Sequence, residues 1–332
     1  MKLKKVLAAA LAVAMMASMA VGCGGAKDEV IKFRMNLADP ETSNYYKGAK
    51  QIADNVAAAT DGKIQIEVVA NNGLGDERSC LELTMAGELE ISTAANSVWT
   101  NFAEEMGIID QAYLWTSKEQ AHGAVDGELG KLIEARAEKM GLKVIGYMES
   151  GFRDTFSVKP IASVADFNGV KIRTMQNKYH MSAFDSFGAI ATPMAYSEVY
   201  TSLQQGNIDA CENAVANCLA SGFYEVTKNI TNTKHAFTYI IVAMSDDAWA
   251  QIPEDLQKPF LDAVKSGYES QRTFLDEANA DATTELKKLG VSFYDMDLNE
   301  LQALYQARAK KEGYTFEADW QAAVDAAIAA AK

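Results

Sequence analysis

The sequence predicts a two-domain α/β protein with a cleft between its domains, and three observations carry that expectation. Strand-like and helix-like segments alternate along most of the chain, and repeated βα units imply a mostly parallel sheet with helices on both faces. About 310 residues follow an N-terminal export signal, enough for two ordinary domains. A stretch from about 254 to 289 reads as one unbroken helix. At 1.5 Å per residue it would run ~50 Å, more than one small domain needs, so it is expected to cross both. Two sheets joined by extended crossings leave a cleft.

The elements follow in order. VIKFRMNL (30–37) reads as a strand, and Ser43 or Asn44 is placed to cap a helix running to about Thr60. IQIEVVA (64–70) is a strand, Asp76 a cap for a helix ending near Gly87, and EISTAA (90–95) a third strand. A helix over 117–140 and the strand LKVIGYM (142–148) come next. In the second half FSVKPI and GVKIRT read as strands, and NKYHMSAFDSFG as a helix with Met181, Phe184 and Phe187 on one side. SEVYTSLQQG reads as a helix capped by Ser197 and stopped by Gly206, IDACEN as a strand leading into a helix, and HAFTYIIVAMS (235–245) as the longest strand.

The N-terminus is an address. MKLKK is positive, VLAAALAVAMMASM apolar but too short to span a membrane, and AVGCGG small. Gly22-Cys23 resembles a lipobox in which Cys23 is acylated; cleavage after Ala20 is the rival reading. Either way the chain is exported, lipid-anchored on the outer side of the membrane or periplasmic. Removing residues 1–22 takes away Lys2, Lys4 and Lys5 and no acid, so the formal charge goes from −14 to −17. Such a surface repels nucleic acid and anionic lipid. Cys80, Cys211 and Cys218 read as small buried residues.

Catalytic signatures do not appear. The chain has no G-x-S-x-G, H-E-x-x-H, Walker A or C-x-x-C, and Gly73-Leu74-Gly75 runs into Asp76-Glu77-Arg78, so the dinucleotide fingerprint fails. His122, His180 and His235 fall in different elements without ligand spacing and read as packed or solvated. No cofactor and no metal is called for. What stands out is Arg173, at the end of the strand GVKIR with Val170 and Ile172 on the opposite face. Ligands in open α/β sheets sit at the carboxyl ends of strands, so Arg173 is either a solvated rim residue or an anion clamp.

GVKIR, TPMAYSEVY (192–200) and LQQGNIDACEN (203–213), with LGDER (74–78), GFR (151–153), FYEV (223–226) and PEDLQ (253–257), occur in an order and spacing that resemble the DctP-type solute-binding proteins of TRAP transporters. The resemblance covers roughly residues 30 to 315. It implies a periplasmic-binding-protein-like, Venus-flytrap fold with a long helix spanning both domains. It also implies a function, the capture of an organic acid, a sugar acid or dicarboxylate, for delivery to the small and large membrane subunits of an ion-gradient-driven permease. A monomer is the implied form. Expected boundaries are 1–22 for the signal, 23–29 for a tether, 30–150 plus about 238–278 for the first domain, and 151–237 plus about 279–325 for the second.

The resemblance assigns Arg173 a two-pronged ion pair with the ligand carboxylate, which suits a planar, always-charged guanidinium. Arg153 matches a second arginine reaching the same carboxylate, its bland reading being a salt bridge to Asp154 or another cleft acid. Asn213 matches an amide donor, and Glu212 orients an arginine or lines the pocket. Tyr196 either covers the ligand or packs in the core. Asn36 and Asn96 sit at strand ends where they would meet the far end of the ligand, or serve ordinary loop hydrogen bonds. Arg78 reads as structural. Ala210-Cys211 and Ala214 depart from the family's usual Gly-Gln and proline around Glu-Asn, and SVKPI lacks its usual asparagine and second basic residue. An ABC-type binding lipoprotein and a lipid-anchored enzyme are the rival readings; an adhesin would need repeats and a stalk that the chain lacks.

Overall fold

A computed structural model describes residues 30–331. Strand β1 (Ile31–Asn36) buries Phe33 and Met35 and turns Lys32 and Arg34 outward. The Ser43 hydroxyl accepts from Tyr46 N at 3.1 Å and starts α1 (Asn44–Ala59). After β2 (Ile64–Val69), the Asp76 carboxylate accepts from Ser79 N at 2.9 Å and starts α2 (Glu77–Met85). β3 (Ile91–Ala95) is buried at every position and runs into a one-turn helix, α3 (Asn96–Trp99).

The single helix expected over 117–140 is two, α4 (Lys118–Val125) and α5 (Glu128–Glu138). Gly127 between them leaves the helical region at φ −115, ψ −146. A Cβ on Gly130 would stand 1.9 Å from the Val125 carbonyl, so only glycine allows so sharp a turn.

The largest departure is β4 (Leu142–Ser157), sixteen residues that join the expected strand 142–148 to the first residues of FSVKPI. GFR lies inside it, and the strand ends before Val158. Next come β5 (Lys171–Thr174), α6 (Lys178–Ser186), capped by Asn177, and β6 (Ile190–Pro193). Ser197 is not the cap of the following helix. Residues Tyr196–Glu198 form a 3₁₀ turn in which the Glu198 carboxylate accepts from Ala195 N at 3.1 Å, and α7 (Val199–Gln204) starts after it. β7 (Ala210–Asn213), α8 (Val215–Ala220), β8 (Asn229–Ser245) and α9 (Asp246–Trp249) lead to α10 (Glu254–Lys288). The stretch is one 35-residue helix, as expected, and it runs unbroken through Pro259, a proline that the sequence reading of the segment missed. β9 (Ser292–Asp295), α11 (Leu298–Glu312) and α12 (Ala318–Ala330) complete the chain.

The strands form one path, β2-β1-β3-β8-β4-β7-β5-β6, with β9 on β8. The expected two sheets are therefore halves of one ribbon, because the antiparallel pair β4–β8 runs through both domains. α10 crosses with it. Its Phe260, Val264 and Tyr268 join the core around β1 and α1, while Leu275, Ala282 and Leu286 join the core around α7 and α8. α12, expected in part with the second domain, packs Trp320, Val324 and Ala327 into the core around α4 and α5 instead.

Where α10 crosses α1, Gly267 sits on the partner backbone: a Cβ there would stand 2.7 Å from Ile52 Cα and 2.8 Å from Ile52 N. Two effects compete in Gly267→Ala. Helix propensity favours alanine by about 1 kcal/mol, and overpacking against an unyielding backbone costs ~1–3 kcal/mol. The expected outcome is a lower melting temperature; a rise would show that the two helices separate easily.

Candidate functional site

Irregular pairing between β4 and β8 shapes the site. Glu149 pairs with Tyr239 and Gly151 with Thr238, so Ser150 is an extra, bulged residue, and Gly151 takes φ +71. The bulge turns the next segment, and the Glu149 backbone just before it is bonded from outside the sheet. Gln271 of α10 takes it up: its Oε1 accepts from Glu149 N and its Nε2 donates to Glu149 O, each at 2.9 Å. Beyond the bulge, Arg153 points at the end of β7, where Glu212 and Asn213 lie, and Arg173 arrives from the end of β5. On β8 the residues between Thr231 and Ala236 leave the ladder, and His235 reaches Glu212.

These residues surround a cavity of about 30 Å³ between the domains, lined on one side by Arg153, Arg173, Tyr196 and Asn213. Asp39, Tyr45 and Glu77 of the first domain face them, with Ser150 and Asn217 at the margin. Both arginines are only 4% exposed. Hydrogen bonds from Asn217 Nδ2 to the Tyr45 hydroxyl (3.1 Å) and from Thr42 Oγ1 to Ala220 O (3.3 Å) join the domains beside the cavity, so entry requires them to part.

The two arginines are held differently. Arg153 spends its whole guanidinium on protein: Nε and Nη2 donate to the Glu212 carboxylate, Nη2 also to Glu212 O at 2.7 Å, and Nη1 to Asn213 Oδ1 (3.0 Å) and Ser150 Oγ (3.3 Å). This is the salt-bridge reading with Glu212, not Asp154, as the acid. Arg173 donates through Nε and Nη2 to Met194 O at 3.0 and 2.8 Å, and its Nη1 stands 3.6 Å from Glu212 Oε1.

Burial alone would push the Glu212 carboxyl up, but the Arg153 charge and hydrogen bonds from His235 and Arg153 hold it well below the usual carboxylate range. Burial keeps His235 low in spite of Glu212, and so neutral. Burial also lowers the Arg173 guanidinium, with Glu212 opposing. The fold thus joins histidines that the sequence separates, because ring atoms of His180 and His235 lie within 4.8 Å of each other and of Glu212. The trio makes a poor cation site: Arg153 and His235 already engage the Glu212 oxygens, and a guanidinium stands against them. It continues to the first domain through His180 Nε2 and Asp110 Oδ1 (3.4 Å), and Asn177 Nδ2 donates to Asp110 Oδ2 at 2.7 Å.

Asn36 and Asn96 do not line the cavity. Asn36 Oδ1 accepts from Thr93 N (2.7 Å) and stitches β1 to β3, while Asn96 Oδ1 accepts from Tyr239 N (2.9 Å) and its Nδ2 donates to Asp110. Glu212 lies behind Arg153 instead of in the lining. Tyr196 lines the cavity, bonds the Ser221 hydroxyl at 2.6 Å and packs edge-on against Phe223. Arg78 is paired on the surface with Glu82 at 3.1 Å. Cys23 lies outside the described residues; Cys80, Cys211 and Cys218 are buried free thiols. Asp39, Tyr45 and Glu77 escaped the sequence reading, although Asp39 follows a strand end and Glu77 stands inside LGDER.

A family model described as bacterial extracellular solute-binding protein, family 7 (DctP), matches residues 35–317. The chain belongs to this family. A solute-binding protein of Verminephrobacter eiseniae is 30% identical over 263 residues, 79% of this chain and 78% of that one. The C4-dicarboxylate-binding periplasmic protein of Rhodobacter capsulatus is 26% identical over 276 residues, 82% of each. A TRAP periplasmic solute-binding protein of Polaromonas sp. JS666, bound to D-erythronate, superposes with a TM-score of 0.84 at 28% identity, covering 89% of this chain and 98% of that one. DctP-type membership favours the TRAP reading over the ABC-type one, and the relatives are binding proteins, not enzymes. Among the described residues no helix of this family-7 protein is long and apolar enough to cross a membrane.

Glu212→Gln leaves Arg153 buried without its counter-charge, which costs about 3–5 kcal/mol for such pairs. Urea unfolding at pH 7 should show that loss. A depressed folded-state pKa contributes stability above the unfolded carboxyl value of about 4.3 and loses it only as pH falls further. The gap between wild type and variant should therefore hold from pH 7 to 5 and narrow only in stronger acid. Equal stability at pH 7 would refute the assigned role.

Proposed function

We propose that the protein captures an organic acid outside the cytoplasm through an ion pair between the ligand carboxylate and Arg173, and delivers it to the small and large membrane subunits of a TRAP permease driven by an ion gradient. The observation that carries this reading is the difference between the arginines. Arg153 is saturated by Glu212, Asn213 and Ser150, whereas Arg173 keeps Nη1 for a ligand beside the cavity. A carboxylate leaving water needs such donors. Asn213 supports it: its Oδ1 is taken by Arg153, Asn217 Nδ2 (3.1 Å) and Ala214 N (2.8 Å), so the amide offers its NH₂ group to a carboxylate or hydroxyl. Arg153 acts as a fixed positive charge that holds Asn213, and Tyr196 covers the site.

Family membership supports the transport role, and D-erythronate on the Polaromonas protein supports an organic acid as cargo. The ligand works by differential affinity, since it binds the shut cleft and shifts an open–shut equilibrium that the permease reads. The domains divide near residues 150, 237 and 278, where β4, β8 and α10 cross. Export follows from residues 1–22, and acylation at Cys23 would tether the protein to the outer face of the membrane.

Thermal unfolding against a panel of carboxylates and their neutral amides tests the reading, with the protein first unfolded and refolded to strip bound ligand. An acid should stabilise and its amide should not. Arg173→Ala should cost about 2–5 kcal/mol of binding, roughly 30-fold or more in Kd, and Arg173→Lys should fail to restore a two-pronged pair. Stabilisation by neutral sugars or peptides alone would overturn the assignment.

A further inference from the structure

The cavity walls are divided by charge sign. Its cations, Arg153 and Arg173, come from the second domain, and its only charged lining residues from the first are the acids Asp39 and Glu77. Asp39 follows the end of β1, and Glu77 opens α2. Glu77 Oε1 is fixed by Ala95 N at 2.9 Å, which leaves its second oxygen for the cavity. Arg78, next in sequence, lines a small neighbouring cavity and gives its Nε to Glu82.

Counting charges exposes a conflict. Glu212 offsets one of the two guanidinium charges, so one net positive charge faces Asp39 and Glu77. A ligand carboxylate bound there would set three anions against one net positive charge in a partly dehydrated cleft, where like charges repel more strongly than in water. One proton removes the conflict.

We propose that Asp39 and Glu77 form a carboxyl pair that takes up one proton when the cleft shuts on its ligand, so that the protein accepts a monocarboxylate bearing hydroxyl groups and refuses a dicarboxylate. This rests on Arg173 as the carboxylate anchor. A hydroxyl ligand both donates to the ionised member of the pair and accepts from the protonated one. The second carboxylate of a diacid would meet a wall that already holds one negative charge.

The electrostatics of the shut cleft support the pair. Burial raises both carboxyls, and Asp39 is pushed up to about 7 by burial and then by the Glu77 charge, with Tyr196 and Arg153 opposing. The charged or titratable groups facing Asp39 are Glu77, Tyr45, Tyr196 and Arg153; those facing Glu77 are Arg173, Arg153 and Asp76. His180 and His235 stand behind Glu212. In the open, hydrated cleft both carboxyls titrate near about 4. Closure therefore binds a proton between about pH 4 and 7, and affinity rises as pH falls through that window. For a single group moving from about 4 to 7, Kd should be on the order of 20-fold lower at pH 5.5 than at pH 7.5.

Isothermal titration of the full mature protein with D-erythronate, other hydroxy-monocarboxylates and succinate tests this, at pH 5.5, 6.5 and 7.5 in two buffers of different ionisation enthalpy. The expected result is tightening toward pH 5.5 with up to one proton taken up per monocarboxylate, and weak or no binding of succinate at pH 7.5. Asp39→Asn should flatten the pH profile and abolish the uptake while succinate is still refused, since Glu77 keeps the wall's one negative charge, and the double variant Asp39→Asn/Glu77→Gln should admit succinate; Glu77→Gln alone gives the same test of uptake should the first variant fold poorly. Binding without proton uptake, uptake that survives both variants, or succinate bound as tightly as the monocarboxylates at pH 7.5 overturns the proposal while leaving the Arg173 anchor standing. No heat from any acid at any pH overturns both.

Discussion

The buried pair between Arg153 and Glu212 is the interaction on which the rest of the site depends. Both side chains are buried, and every oxygen and N–H between them is accounted for by a partner. Buried ion pairs seldom add net stability compared with apolar packing, so this one is better understood through what it fixes. It locks the end of β7 to β4, turns Asn213 so that its oxygen is consumed, and leaves Arg173 as the guanidinium with donors facing the cavity. His235 behind it and the His180–Asp110 contact extend the same network into the first domain. A change at Glu212 therefore reaches Arg153 and Asn213 in the cavity lining although Glu212 itself lies behind it.

Opening such a cleft is possible because only a few elements cross between the domains. β4 and β8 change register at the bulge by Ser150, where a regular ladder would resist bending. A bulge normally leaves backbone groups wanting partners, and buried ones are costly. Gln271 answers that need from α10, and its Nε2 also donates to Asn44 Oδ1 of α1 at 2.8 Å. The bend is thus tied to the helix that shares both cores. Pro259 fits the same helix at little cost, since the Asp255 carbonyl it leaves unbonded lies near the exposed N-terminal end, where water can serve it.

Much of this was legible in the sequence, and the boundary has physical causes. The βα alternation was plain because each element carries its own period and cap: Asp76 starts α2 and Gly206, at φ +71, ends the segment after α7, as their residue types require. Arg173 could be singled out because a strand end in an α/β sheet is a privileged place, and it does line the cavity; its pairing with a carboxylate came from the family resemblance alone. What escaped is what only pairing decides. Residues 149–155 fell between two expected strands, yet Gly151 among them is the positive-φ residue that lets one strand run on through a bulge. His180 and His235 are 55 positions apart, and no local pattern says that α6 and β8 bring their rings together. Asn36 and Asn96 occupied the right strand ends but the wrong face, because β3 and β8 offered them closer backbone partners.

A protein of formal charge −14 is an unpromising anion trap until distance is considered. At physiological salt the surface field fades over about 8 Å, so a ligand within the cleft responds to the groups lining it and little else. Those groups do not form a positive patch. Two arginines are matched by Glu212 and faced by Asp39 and Glu77, so attraction arises from the direction of donors at one end of the cavity and not from surplus charge. Such a site discriminates more sharply than a positive bowl would. Any carboxylate would satisfy a bowl, but with Arg173 as the proposed anchor a ligand must also bring an end that tolerates the two carboxyl groups of the opposite wall. The second requirement is set by first-domain residues, which meet the ligand only when the domains close. Specificity and closure are therefore parts of one event.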